Sequence, residues 1–155
     1  MTRDEARKIA SQVAWGFLGL PYVWGGDDAV AGFDCSGFCI EVLKSVGALP
    51  RSGDWTAAGL STRFHDRGCG IGLDDLQEGC LVFWRSRHDR TRIIHVEYAL
   101  NDRLCIGASG GGSTTDDRQA AVIGNAYVKV RPWDSRVRVS GAVDPFKQAY
   151  DGWED

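Results

Sequence analysis

Residues 34–47 read DCSGFCIEVLKSVG, and the fold turns on how this stretch is read. Phe38, Val42 and Val46 recur at helical spacing with Cys39 and Leu43 beside them, which gives the segment one apolar stripe. Asp34 stands before the pattern, where its carboxylate can accept from the free N–H groups of a first turn, and Gly47 closes the run. Cys35 therefore falls in the first turn of a helix and faces the positive end of its dipole, a place that favours thiolate over thiol. A free thiol with a pKa of about 8.5 also needs a base to act as a nucleophile, and a histidine within hydrogen-bond reach is the usual solution. The plainer alternative is that Cys35 is a small buried hydrophobe.

Upstream, residues 2–18 predict a helix with Thr2 as N-cap and Ile9, Val13, Ala14 and Phe17 on one face, ended by Gly19 and Pro21. Residues 21–32, PYVWGGDDAVAG, fit no helical or alternating period and read as a loop that lays aromatics beside something. Downstream, a short helix is expected near 54–60, then a glycine-rich stretch at 68–72. The period then changes: 80–84 (CLVFW), 93–100 (IIHVEYAL), 104–109 and 127–131 are β-rich runs separated by Gly, Asn and Asp turns. Helices first and strands later define an α+β domain with an antiparallel sheet, one domain over 1–155. In the second run, alternation puts His95 on a face with Ile93, Glu97 and Ala99, while Ile94, Val96, Tyr98 and Leu100 point into the expected core. His95 is the candidate base, since a strand fixes an imidazole better than the loops expected around His65 and His88 do.

Composition narrows the classes. With 43% hydrophobic and 25% charged residues the 155-residue chain has enough apolar surface for one core, so disorder is excluded as a whole-chain reading. A net charge of −3 provides no basic field for a nucleic acid. No apolar run approaches the ~18 residues of a membrane span. The N-terminus MTRDEARKIA lacks the apolar core of a secretory signal, so synthesis in the cytoplasm is expected. Five cysteines, an odd count without paired spacing, are expected to be reduced thiols, and Cys35 with Cys39 lacks the ligand set of a metal site. No metal or organic cofactor is implied.

The segments GLPYVWGG (19–26), FDCSGF (33–38), LPRS (49–52), LQEGCLVFW (76–84) and HVEYAL (95–100) resemble, in order and spacing, the NlpC/P60 cysteine peptidases of bacterial cell walls. IGASGGGST (106–114) and AYVKVRP (126–132) look like the branch carried by phages and prophages. The resemblance implies a papain-like fold, Cys35 as nucleophile and His95 as general base, with amide hydrolysis through a thioester. It implies that N–H groups at the helix start, with Tyr22 nearby, stabilise the oxyanion. It gives Asp34 and Ser36 a part in shaping the site and binding peptide, compatible for Asp34 with a plain N-cap. Trp24 either lines the substrate groove or packs under the Gly25–Gly26 turn.

The sequence departs from the family pattern where a third polar residue should orient the imidazole. That position is Gly107. If 101–103 form a three-residue hairpin loop, His95 lies opposite Ser109 with Gly107 diagonal. Ser109 is then the nearest polar side chain across the ladder, Glu97 on the same strand is a second candidate, and a backbone carbonyl or ordered water near Gly107 a third. Glu78 and Cys80 are smaller departures at a strand entry. The leading reading is a peptidase cleaving peptidoglycan stem peptides, plausibly at γ-D-glutamyl bonds, brought to the wall by a phage particle, lysis or secretion, with phage tail proteins as possible partners. The alternatives are a weakly active or inactive module that binds wall peptide or builds a tail, and a Cys/His acyltransferase or amidase on another substrate.

Overall fold

The computed structural model describes residues 1–28, 32–112 and 114–154. Helix α1 (Arg3–Gly16) opens with a capping box: Thr2 accepts from the Glu5 N–H and Glu5 reaches back to the Thr2 N–H. Strands β1 (Asp27–Asp28) and β2 (Gly32–Phe33) pair as a small antiparallel ribbon inside the stretch expected to be a loop, with residues 29–31 of that stretch outside the described ones. Helices α2 (Cys35–Lys44) and α3 (Ala57–Asp66) follow, capped by Asp34 and Thr56. The rest is β3 (Gly70–Ile71), β4 (Leu81–Arg85), β5 (Ile93–Ala99), β6 (Leu104–Ser109), the short α4 (Arg118–Ile123), β7 (Tyr127–Pro132) and β8 (Val139–Val143). Six of the strands form one antiparallel sheet in the order β3-β8-β4-β5-β6-β7. The α+β expectation holds, and β5 sits inside the sheet, where neighbours on both sides fix its side chains.

Three details differ from the sequence reading. Of the expected α1 face, Ala14, Val13 and Phe17 do meet the core, but Ile9 is 40% exposed, and Ala6 and Ala10 complete the buried stripe because small side chains let this helix approach its neighbours closely. The short helix is displaced to Ala57–Asp66, since Thr56 rather than Asp54 accepts the first-turn N–H. Both faces of β5 are covered. Val96 and Tyr98 join the main core with Phe33, Phe38, Leu43 and Phe64, whereas Ala99 belongs to a smaller cluster with Val82, Trp84, Cys105 and Ala142. Ile94, expected inside, is 43% exposed near the strand's start.

A buried ion pair ties the first helix to the chain's end. Arg7 donates to both oxygens of Asp144, at 2.9 and 2.7 Å, and to the carbonyl of Glu78, while its guanidinium lies over the Phe146 ring. Asp144 is 1% exposed, so removing it strands a guanidinium away from water. Asp144→Ala is expected to lower unfolding stability by about 3–5 kcal/mol, read as a fall in the urea midpoint with little change in slope. An unchanged midpoint would refute this account of the pair.

Candidate active site

The sequence DCSG builds the nucleophile's seat. The Asp34 carboxylate accepts from the Gly37 N–H at 2.7 Å and the Gly25 N–H at 3.1 Å, so one side chain caps α2 and pins the Gly25–Gly26 turn against it. Burial pushes the Asp34 carboxyl up, and these two amides and Ser36 oppose the rise. A glycine is needed at 37 because a Cβ there would run into the Gly26 carbonyl oxygen and lie 2.8 Å from Asp34 Oδ1. Gly37→Ala is therefore expected to destabilise the domain by about 1–3 kcal/mol and to slow turnover by displacing the turn. Thermal unfolding and steady-state rates would check it, and a fully active, equally stable variant would rule it out.

Cys35 opens α2, and the backbone N–H groups of Val96 and Ser36 lie close enough to its sulfur to favour the thiolate. That Val96 amide belongs to the residue after His95, so the start of α2 and strand β5 meet near the thiol. Burial first, then the Asp34 charge, push the thiol up to about 11 against those two amides. The expectation that the helix start favours thiolate is thus reversed at rest, because burial outweighs the dipole.

His95 is 5% exposed, with its ring 5.4 Å from that of Trp84 across the β4 ladder. Burial pushes its pKa below the ordinary value, partly offset by Glu97, whose Oε2 lies 3.1 Å from Nε2. Ser109 is not the imidazole's partner. The hairpin register is the expected one, with Tyr98 opposite Ile106 and Ala99 opposite Cys105, but the Ser109 hydroxyl accepts from Arg131 Nη2 instead. Arg131 arrives on β7, paired to the far side of β6, and no local pattern in the sequence announces it.

A groove of about 490 Å³ runs past the thiol, lined by Tyr22, Trp24, Asp34, Cys35 and Ser36 on one side and by Arg92, Ile93 and Ile94 on the other. Trp24 is 56% exposed and stands in the wall of this groove. Tyr22 is 4% exposed, and burial with the nearby Cys35 and Asp34 raises its phenol far above the ordinary value, so it remains a proton donor. The Ser36 hydroxyl lies 3.4 Å from Asp34 Oδ1. Arg136, which sequence reasoning missed, makes an electrostatic contribution at Tyr22, Cys35 and His95 together, although it lies in the segment between β7 and β8.

An α+β domain with a thiol at a capped helix start and a carboxylate-bonded imidazole on the central sheet is the architecture of a Cys/His peptidase. Residues 19–132 match the NlpC/P60 family, and the chain belongs to it. A γ-D-glutamyl-L-lysine dipeptidyl-peptidase of Bacillus subtilis is 42% identical over 82 residues, covering 52% of this chain and 24% of that protein. The chain spans about a quarter of the length of this relative and of its Bacillus cereus counterpart. The crystal structure of an NlpC/P60 family protein from Bacillus cereus superposes with a TM-score of 0.68 at 25% identity, covering 88% of this chain and 39% of that one. The NlpC/P60 domain of the peptidoglycan hydrolase SagA gives 0.64 at 29% identity, covering 88% of this chain and 97% of that one.

Proposed function

We propose that this domain is a cysteine peptidase that hydrolyses amide bonds in peptidoglycan stem peptides, with γ-D-glutamyl bonds as its target. The observation that carries this reading is the Cys35 thiol at a capped helix start in the groove wall, together with a buried imidazole on β5 whose Nε2 lies 3.1 Å from the Glu97 carboxylate. The names of the relatives support the substrate class.

With Nε2 donating to Glu97, Nδ1 of neutral His95 is the nitrogen that takes the Cys35 proton as sulfur attacks the scissile carbonyl carbon. The carbonyl oxygen becomes an oxyanion, stabilised by the Cys35 N–H at the helix start and the Tyr22 hydroxyl. Collapse breaks the C–N bond, the imidazolium returns its proton to the departing amine, and a thioester remains. His95 then draws a proton from water, whose oxygen displaces the sulfur and releases the acid. A neutral thiol at rest fits this order, in which base action and attack are one event.

Delivery to the wall by a phage particle or by lysis belongs to the same proposal and rests on the phage-type segments 106–114 and 126–132, of which Ser113 lies outside the described residues. The test of function is incubation with a soluble stem tetrapeptide and with purified sacculi, read by mass spectrometry. Fragments cut after D-glutamate support the reading. Intact peptide that stays bound would instead identify a wall-peptide-binding module.

A further inference from the structure

Glu97 has lost all exposure to water, and it occupies the space that a side chain at residue 107 would need. Tyr98 pairs with Ile106, so the next rung places Glu97 opposite Gly107. A Cβ at 107 would lie 2.6 Å from Glu97 Cγ and 3.2 Å from its Cβ and Oε1. The side chain that β6 lacks and the side chain that β5 carries are thus alternatives for one volume beside His95. Arg131 Nη2 donates to Glu97 Oε2 at 3.2 Å and also to the Ser109 hydroxyl, bracing the carboxylate from β7.

Stability alone gives little reason for this arrangement. Among the described residues Glu97 Oε1 has no hydrogen-bond partner, and a buried carboxylate with an unpaired oxygen is a burden on the fold. Rules broken at one place in a consistent structure point to function there. We propose that Glu97 is the positioning residue of this site, supplying from β5 the imidazole-orienting group that residue 107 does not carry, with Arg131 as its brace.

The inference rests on the peptidase reading and deepens it. Burial pushes the Glu97 carboxyl up, but His95 and Arg131 more than reverse this, which favours its carboxylate form. The groups acting on His95 are Glu97 from β5, Arg131 from β7 and Arg136 after it, with Cys35 of α2 near the Val96 amide. The Cys39 and Cys105 thiols near Glu97 are held neutral by burial.

The sign follows. Neutral His95 is the active form and the Glu97 charge raises its pKa, so Glu97→Gln should move the acid limb of kcat/KM to lower pH while kcat falls. Glu97→Ala should lose roughly 10²–10⁴ in kcat. Neither should lower the unfolding midpoint in proportion, whereas a merely structural Glu97 would lower stability and leave the limb in place. The double variant Glu97→Gly with Gly107→Asn should recover at least about ten-fold of the loss of Glu97→Ala, by returning a polar side chain to the shared volume. Imidazole nitrogen NMR reads the same contact without turnover: His95 should hold its proton on Nε2 and lose apparent pKa in Glu97→Gln. Unchanged kcat, limb and His95 pKa in the Glu97 variants, with Cys35→Ala dead, would overturn the positioning role and spare the peptidase. A wild type that cleaves nothing yet shows the NMR shift would overturn the peptidase and spare the positioning.

Discussion

Cys35→Ala is expected to abolish the proposed hydrolysis of the stem peptide and to leave the domain folded. The Cys35 sulfur is the protein atom that the mechanism asks to form a bond with substrate carbon, and alanine offers nothing in its place. What remains are the oxyanion donors and the groove, which bind without cleaving, so any residual rate should fall on the order of 10⁶ below wild type. The structural cost is small. Cys35 packs at the edge of the core rather than within it, and losing one sulfur forfeits roughly 1 kcal/mol of burial. Stem-peptide affinity by calorimetry should match the wild type, giving a variant that binds and does not cut. Hydrolysis retained at more than about one part in a thousand would mean that another group is the nucleophile.

Much of this site is legible in the sequence because its information is local. An Asp before an apolar helical stripe fixes Asp34 as cap and Cys35 in the first turn, and the structure puts both there. A three-residue turn between two β-rich runs fixes the hairpin register, and Leu100 does bond to Leu104. Register says which residues stand opposite each other, however, and not which hydrogen bonds they make. Ser109 was the nearest polar group to His95 on that logic, yet Arg131, 22 residues further on, claims its hydroxyl and braces the Glu97 carboxylate beside the imidazole. That competition is decided by a third strand. Strand β8 escaped notice for a related reason: VSGAV is short, carries a serine and a glycine, and becomes a strand by pairing with β4 and β3. The small-residue face of α1 was hidden because alanine is a weak hydrophobic signal, and here close approach selects it over Ile9.

Replacing His95 should be nearly as damaging as replacing Cys35, and the two losses should not add. With the thiol raised to about 11, almost none is ionised near neutrality, and in the proposed mechanism His95 is the group that takes its proton. His95→Ala should therefore lower kcat by roughly 10⁵–10⁶, and the Cys35→Ala/His95→Ala double variant should be no slower than either single one, as expected of groups that act as a unit. This substitution also costs stability, unlike that at Cys35. Removing the ring takes away the packing against Trp84 and leaves Glu97, still away from water, with Arg131 as its sole remaining partner among the described residues. The unfolding midpoint should fall with it, and more at neutral pH than in acid, because the orphaned carboxyl is easier to bury once protonated. Rates and midpoints from the same preparation separate the two effects: correcting kcat for the unfolded fraction should recover almost none of the loss. A corrected rate within about ten-fold of wild type would remove His95 from the mechanism, and losses that simply multiply in the double variant would mean that thiol and imidazole serve different steps.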